Sequence, residues 1–258
     1  MTTTTQAQHP VALITGGNRG LGRSMALHLA AQGVGVVITY RGHEDEASAV
    51  VKELEARGAR GAALALDVSQ TGSFPAFVQA LKTTLAQRFG KERLDFLVNN
   101  AGFGLHAPFA DTTEAQFDAL LAVHFKGPFF LTQALLPLLA DGGRILNVST
   151  GLARFTYPGA SAYAAMKGAM EVLTRYQAKE LGGRGITVNT VAPGAIETDF
   201  GGGRVRDTPE VNKTVAAMTA LGRVGLPDDV GAAVALLLSP GSGWINGQRI
   251  EVSGGQGL

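Results

Sequence analysis

The chain predicts an α/β protein: a Rossmann-like, doubly wound parallel sheet of about seven strands with helices on both faces. Three observations predict it. Short β-branched apolar runs alternate with longer amphipathic stretches along the chain. The runs are continuously apolar, as strands covered on both faces are. A glycine-rich turn stands between the first run and the first helical pattern. Right-handed crossovers wind such an alternation into a layered sheet whose ligands bind beyond the carboxyl ends of the strands.

In chain order, the first run covers residues 11–15 and leads through the glycine turn to a helix beginning near Arg23. A second run, 34–39, precedes an amphipathic stretch at 44–57. The runs at 62–67 and 94–99 are separated by a helical pattern over 74–89. A long pattern over 114–139 then leads to the run at 144–149, and another over 160–181 leads to 186–192. The pattern at 227–238 precedes the final run, 249–252, which reads as an edge strand. No boundary interrupts this order, so residues 10–258 are expected to form a single domain behind a flexible tail at 1–9.

Composition agrees. Of 258 residues 45% are hydrophobic and 17% charged, below the roughly 25% charge of an average soluble domain. That supplies a core and argues against disorder. A net charge of +1 offers no field to attract polyanions, so nucleic acid is not an expected partner. With 0 Cys there is no disulfide framework, thiolate metal cage or catalytic thiol. The 35 Gly follow no triplet period and must serve turns and close backbone approach. No apolar run reaches the ~18–20 residues that cross a bilayer. The polar, Thr-rich start lacks a signal segment, which makes the cytoplasm the expected location.

The turn after the first run reads Thr15-Gly16-Gly17-Asn18-Arg19-Gly20-Leu21-Gly22. Glycines admit positive φ and let a pyrophosphate approach the backbone, while the following helix offers free N–H groups and the positive end of its dipole. Gly16, Asn18, Arg19, Gly20 and Leu21 are the candidate contacts. The same stretch nearly fits a nucleoside-triphosphate loop, but Arg23 stands where that loop needs a lysine. Dinucleotide sites that take NAD place an acid about 20 residues further on to hold the ribose diol. Here that place is held by Tyr40 and Arg41, with no carboxylate. Arg41 and Arg19 suit a ribose 2′-phosphate instead, which favours NADP over NAD.

Tyr163 and Lys167 stand four apart in a helical pattern and share one face. A phenol with a reference pKa near 10 exchanges protons poorly at neutral pH, and a nearby ammonium favours its ionised form. Alone, that spacing is ordinary. With Thr15–Gly22, Asp67-Val68, Asn99-Asn100-Ala101-Gly102 and Pro193-Gly194-Ala195-Ile196-Glu197-Thr198 in order, the chain resembles the short-chain dehydrogenase/reductase family. The resemblance runs from about residue 10 to the end and is nearest to the single-domain branch, with its 3-oxoacyl-carrier-protein reductases and carbonyl reductases.

The resemblance implies a role for each matched residue. Tyr163 is the general acid that protonates a carbonyl oxygen, and Lys167 lowers its pKa and binds the nicotinamide ribose. Asp67 and Val68 hold the adenine, and Asn100, Ala101 and Gly102 border the adenine-side ribose. Pro193, Gly194, Ile196 and Thr198 adjoin the nicotinamide, and Arg41 falls where NADP-dependent members contact the 2′-phosphate. The implied reaction is NADP(H)-dependent interconversion of a ketone or aldehyde and its alcohol, by a homotetramer.

Two positions depart from the pattern. Thr150 stands where the family carries serine, and its hydroxyl is expected to orient substrate in preference to that of Ser149, since adjacent strand residues face opposite sides. His124 stands where the family carries asparagine, a residue that acts through its main-chain carbonyl; the histidine is either catalytically silent, the favoured reading, or an added proton relay. The other histidines lack metal-ligand spacing, and no metal is expected. Gly201-Gly202-Gly203 before a short helical pattern suggests a lid, and Phe103, Phe155, Tyr157 and Phe200 are candidate pocket residues. A non-catalytic dinucleotide sensor and a nucleotide triphosphatase are the rival functions. Among substrates, carrier-linked ketones compete with free small carbonyls.

Overall fold

The computed structural model describes residues 9–258; residues 1–8, most of the expected tail, lie outside the described residues. The order begins β1 (Val11–Ile14), α1 (Gly20–Ala31), β2 (Gly35–Tyr40), α2 (Glu44–Ala56), β3 (Gly61–Ala65), α3 (Phe74–Thr84), β4 (Leu94–Asn99), α4 (Glu114–Leu121) and α5 (Gly127–Leu135). It continues β5 (Leu139–Val148), α6 (Ser161–Leu181), β6 (Thr187–Pro193), α7 (Arg204–Asp207), α8 (Pro209–Ala217), α9 (Pro227–Leu238) and β7 (Arg249–Val252). The strands make one parallel sheet in the order β3-β2-β1-β4-β5-β6-β7. The doubly wound sheet expected from the apolar runs is therefore present.

Alternation along each strand divides the core into two layers. On β1, Ala12 and Ile14 pack with α1, α2 and α9, while Val11 and Leu13 pack with α3, α5 and α6. Both sets are fully or almost fully buried, which is why these strands carry no polar alternation. Strand order reverses about β1, whose neighbours are β2 and β4. The crevice at the carboxyl ends of β1 and β4 is the place where such sheets bind ligands.

Three boundaries differ from the sequence expectation. Helix α1 starts at Gly20, not near Arg23, because Gly20 itself turns the chain at φ +53°. The pattern over 114–139 is two helices, joined by a wider turn over residues 122–126 in which the Gly127 N–H bonds the Ala122 carbonyl. Pro128 accounts for the break, since it has no N–H to continue the ladder. Strand β5 begins five residues before 144, at Leu139, and meets β4 across an irregularity between Leu94 and Phe96.

Candidate active site

The glycine loop and the loop after β4 are stitched together at the crevice. The Thr15 hydroxyl accepts from the N–H groups of Asn100 and Ala101, both at 2.9 Å. The Asn100 amide in turn donates to the carbonyls of Thr15 (2.8 Å) and Gly16 (3.1 Å). Gly16 sits at φ +65°, and a Cβ on Gly22 would overlap the Gly16 carbonyl oxygen. The first turn of α1 therefore lies directly against the loop. Among the described residues no side chain caps α1, so its leading N–H groups are left for an anion. A Cβ on Gly20 would reach to 3.6 Å from Thr198, so a narrow slot separates the glycine loop from the loop after β6. This uncapped, glycine-walled slot fits a dinucleotide pyrophosphate.

The remaining adenine-side candidates are placed as follows. Arg19 and Arg41 are exposed, Arg41 3.8 Å from an Asp67 oxygen. Asn18 is tied to Glu46 at 2.7 Å. Asp67 caps its own turn, one oxygen accepting from Ser69 N (2.9 Å) and Ser69 Oγ (2.7 Å). Tyr40 is half-buried at the end of β2, and burial together with Glu44 raises its phenol. Val68 is buried, and its carbonyl leaves room only for glycine at Gly127. Asn99 points away from the crevice: it donates to Asn147 (2.8 Å) and Thr132 (3.1 Å) inside the core. Of the asparagine pair, only Asn100 belongs to the site.

Helix α6 turns Tyr163 and Lys167 inward, with 9% and 5% of their surfaces exposed. The Lys167 ammonium donates to the Val148 carbonyl at 2.7 Å and lies 5.8 Å from the Tyr163 ring centroid. Burial lowers Lys167 to about 8. Burial also raises the Tyr163 phenol above its ordinary value, with the Thr150 hydroxyl beside it acting in the opposite sense. In the protein alone burial is the larger influence on the phenol, and the Lys167 ammonium is engaged with the Val148 carbonyl. The phenol is thus kept in its proton-carrying form. Ser149 faces α6, where its hydroxyl donates to Glu171 at 2.7 Å, whereas Thr150, one residue later, turns toward Tyr163.

His124 is 1% exposed, in the wide turn between α4 and α5. Its ring meets Tyr163 edge-on, with centroids 5.1 Å apart and planes at 86°. Nε2 lies 2.9 Å from the Phe103 carbonyl, to which it donates. Burial, reinforced by the Lys167 charge, lowers His124 to about 3, so the imidazole is neutral across physiological pH. An α-helix would bond the His124 carbonyl to the N–H of residue 128. That residue is proline, so this carbonyl has no such donor.

Phe200 closes the opposite side of Tyr163, with centroids 5.8 Å apart. Three glycines follow at φ between +62° and +75°, turning the chain into α7. Beside α6 lies a cleft of about 690 Å³ lined by His106, Phe109, Leu152, Tyr157, Pro158 and Arg204 among others. His106 and Phe109 carried no sequence signal for the cleft, since both lie outside the motifs between β4 and α4, whereas Arg204 opens α7 directly after the three glycines read as a lid. Of the four candidate pocket residues Tyr157 lines this cleft, while Phe103 packs on His124, Phe155 on Arg154 and Phe200 on Tyr163. After β6, the Gly194 N–H bonds Val252 and the Ala195 N–H bonds the Gln256 side chain at 2.8 Å. Ile196 bridges to Gly225, and the Thr198 hydroxyl accepts from Phe200 N at 3.2 Å. Pro193 ends β6. Among the described residues no three acidic or histidine side chains gather as metal ligands, and no helix is long and apolar enough to cross a membrane.

A switch-point crevice shaped for a dinucleotide, with a buried tyrosine and lysine at its mouth, defines an oxidoreductase of the doubly wound α/β class. A family model described as enoyl-(acyl carrier protein) reductase matches residues 16–256. The hydroxynaphthalene reductase-like protein Arp2 of Metarhizium brunneum is 36% identical over 256 residues, covering 95% of this chain and 94% of that protein. The promiscuous reductase LugOII, which catalyses keto-reduction at C1 during lugdunomycin biosynthesis, superposes with a TM-score of 0.91 at 39% identity, over 96% of this chain and 98% of its own. The angucycline C-6 ketoreductase LanV with bound NADP also gives 0.91, at 36% identity and 96% of each chain; a further LanV structure holds NADP and rabelomycin. The chain belongs to the short-chain dehydrogenase/reductase family.

Proposed function

We propose that the protein is an NADPH-dependent ketoreductase that reduces a ring carbonyl of a fused aromatic substrate. One observation carries the reading: a buried, proton-bearing Tyr163 phenol with the Thr150 hydroxyl beside it and the Lys167 ammonium one turn along the same helix. The glycine loop and the α1 N-terminus would hold the pyrophosphate, Arg19 and Arg41 the 2′-phosphate, Asn100 the adenine-side ribose, Lys167 the nicotinamide ribose and Thr198 the carboxamide. When bound, NADPH supplies the hydride. The chain's residues do the rest: Thr150 donates to the carbonyl oxygen and orients it, and Tyr163 gives that oxygen its proton. Lys167 stabilises the phenolate left behind, which regains a proton from solvent. His124 stays neutral and packs against Tyr163, with its main-chain carbonyl free to hold a water.

A fused aromatic ketone suits the cleft in size and character. Ligand pockets commonly measure ~300–1,000 Å³ with apolar walls, and this one, lined by Ala164 next to Tyr163 and by Leu152 two residues after Thr150, has mainly aromatic and aliphatic walls with Arg204 among them. The relatives named for hydroxynaphthalene reduction and for C-6 keto-reduction support the same class. A carrier-linked substrate is disfavoured, because among the described residues Arg204 is the one lysine or arginine in the cleft lining, while Arg154 is paired with Glu251, Arg206 with Asp199 and Asp207, and Arg223 with Asp229. Half-exposed Phe129 and Phe130 on α5 and Tyr176 on α6, with fully exposed Trp244 before β7, suit assembly into a homotetramer. The test is cofactor oxidation over a panel of mono-, bi- and tricyclic aryl ketones, with NADPH and NADH in parallel. NADPH-dependent turnover that rises with ring number and falls at least 100-fold in Tyr163→Phe is expected. Full-speed reduction by Tyr163→Phe would overturn the proposal.

A further inference from the structure

Arg249 lies on edge strand β7, outside every motif that marks the site, yet it makes contacts that reach the site directly. One Nη donates to the main-chain carbonyl of Thr150 at 3.1 Å. Nε donates to Glu171 at 2.8 Å, and the other Nη donates to Glu251 at 3.0 Å. Glu171 stands on α6, two turns beyond Tyr163 and on the helix that carries it. The same Glu171 oxygen accepts from Ser149 Oγ, the residue before Thr150. One guanidinium therefore ties the Thr150 backbone to the helix that carries the phenol.

The far end of this loop is held by the same charges. Arg154 forks onto Glu251 at 2.8 and 3.0 Å, and donates onward to the carbonyls of Gln256 (2.8 Å) and Gly257 (3.2 Å). Two arginines and two glutamates thus compensate one another in a cluster that is 14–36% exposed. In such a partly desolvated place, forked charge-assisted bonds are stronger and more directional than neutral ones. We propose that Arg249 is a positioning residue for the reduction: held by Glu171 and Glu251, it fixes the Thr150 carbonyl and so sets the Thr150 hydroxyl against the Tyr163 phenol. This rests on the proposed role of Thr150 as the group that orients the carbonyl.

Only the fork of arginine reaches three acceptors at once. Arg249→Lys keeps the charge between the two glutamates, and so the fold, while losing the simultaneous hold on Glu171 and the Thr150 carbonyl. Turnover of the ketone reduced fastest in the panel is measured for the wild type, Arg249→Lys, Thr150→Ala and the double variant, with the NADPH Kd read by cofactor fluorescence. Arg249→Lys should lower kcat at least 10-fold and leave the NADPH Kd within twofold. In the Thr150→Ala background the same change should lower kcat less than threefold, because Arg249 acts through Thr150. A merely structural role would give the same factor in both backgrounds, and that result, or unchanged kcat in Arg249→Lys, overturns the link while leaving the reductase reading intact. Wild-type turnover by Thr150→Ala would instead remove the orienting role itself, and the inference with it.

Discussion

Lys167 carries an ammonium into the protein interior, and the consequence is measurable without any substrate. Its donor contact is a single neutral carbonyl, that of Val148 at 2.7 Å. Burial brings its pKa from 10.5 down to about 8. The unfolded chain thus keeps the proton up to about pH 10.5, while the folded chain releases it near 8. Between those values the unfolded state binds more protons, so stability rises with pH. The window is about 2.5 pH wide, and at roughly 1.4 kcal/mol per pH unit the gain is about 3 kcal/mol. Other groups titrate there too, so the comparison is with Lys167→Met, which has no proton to lose. Urea unfolding of both proteins without cofactor, from pH 7 to 10.5, gives the difference in stability at each pH. The wild type should gain about 3 kcal/mol on the variant across that range. A difference that stays flat, or falls as pH rises, would refute the reasoning that the ammonium is held against its desolvation.

Three further perturbations test other parts of the site. His124→Asn should leave the pH profile of kcat unchanged between pH 5 and 8, since burial already holds the imidazole neutral down to about 3; loss of a profile limb near pH 6–7 would make the histidine a proton carrier. Gly22→Ala places a methyl against the Gly16 carbonyl and the Asn100 amide, and should lower stability by about 2–4 kcal/mol in thermal or urea unfolding and weaken NADPH binding at least 10-fold; an unaltered Kd would separate the loop from the pyrophosphate. Arg41→Ala should weaken NADPH at least 10-fold and leave NADH within twofold, as read by fluorescence titration. Equal losses for the two cofactors would remove Arg41 from the 2′-phosphate.

Much of this molecule is determined by order along the chain. Apolar runs of strand length, separated by helical patterns, admit one sheet with helices on both faces, and a glycine turn after the first run marks the ligand end. The motifs are local, so Asn100, Tyr163 and Lys167 are legible as candidates from their immediate neighbours in the chain. Only the tertiary structure separates neighbours that sequence leaves equivalent. Asn99 belongs to the core and Asn100 to the crevice, Ser149 faces Glu171 and Thr150 faces the phenol, because adjacent residues at a strand end diverge to opposite sides. Desolvation is likewise a property of the fold: the spacing of Tyr163 and Lys167 puts them on one helix face, and only their burial raises the phenol and lowers the ammonium in the protein alone. The neutrality of His124, set by its burial and by Lys167 43 residues away, and the grip of Arg249 on Thr150, 99 residues away, depend on distant segments meeting in space. No local pattern encodes such meetings; packing of the layers creates them.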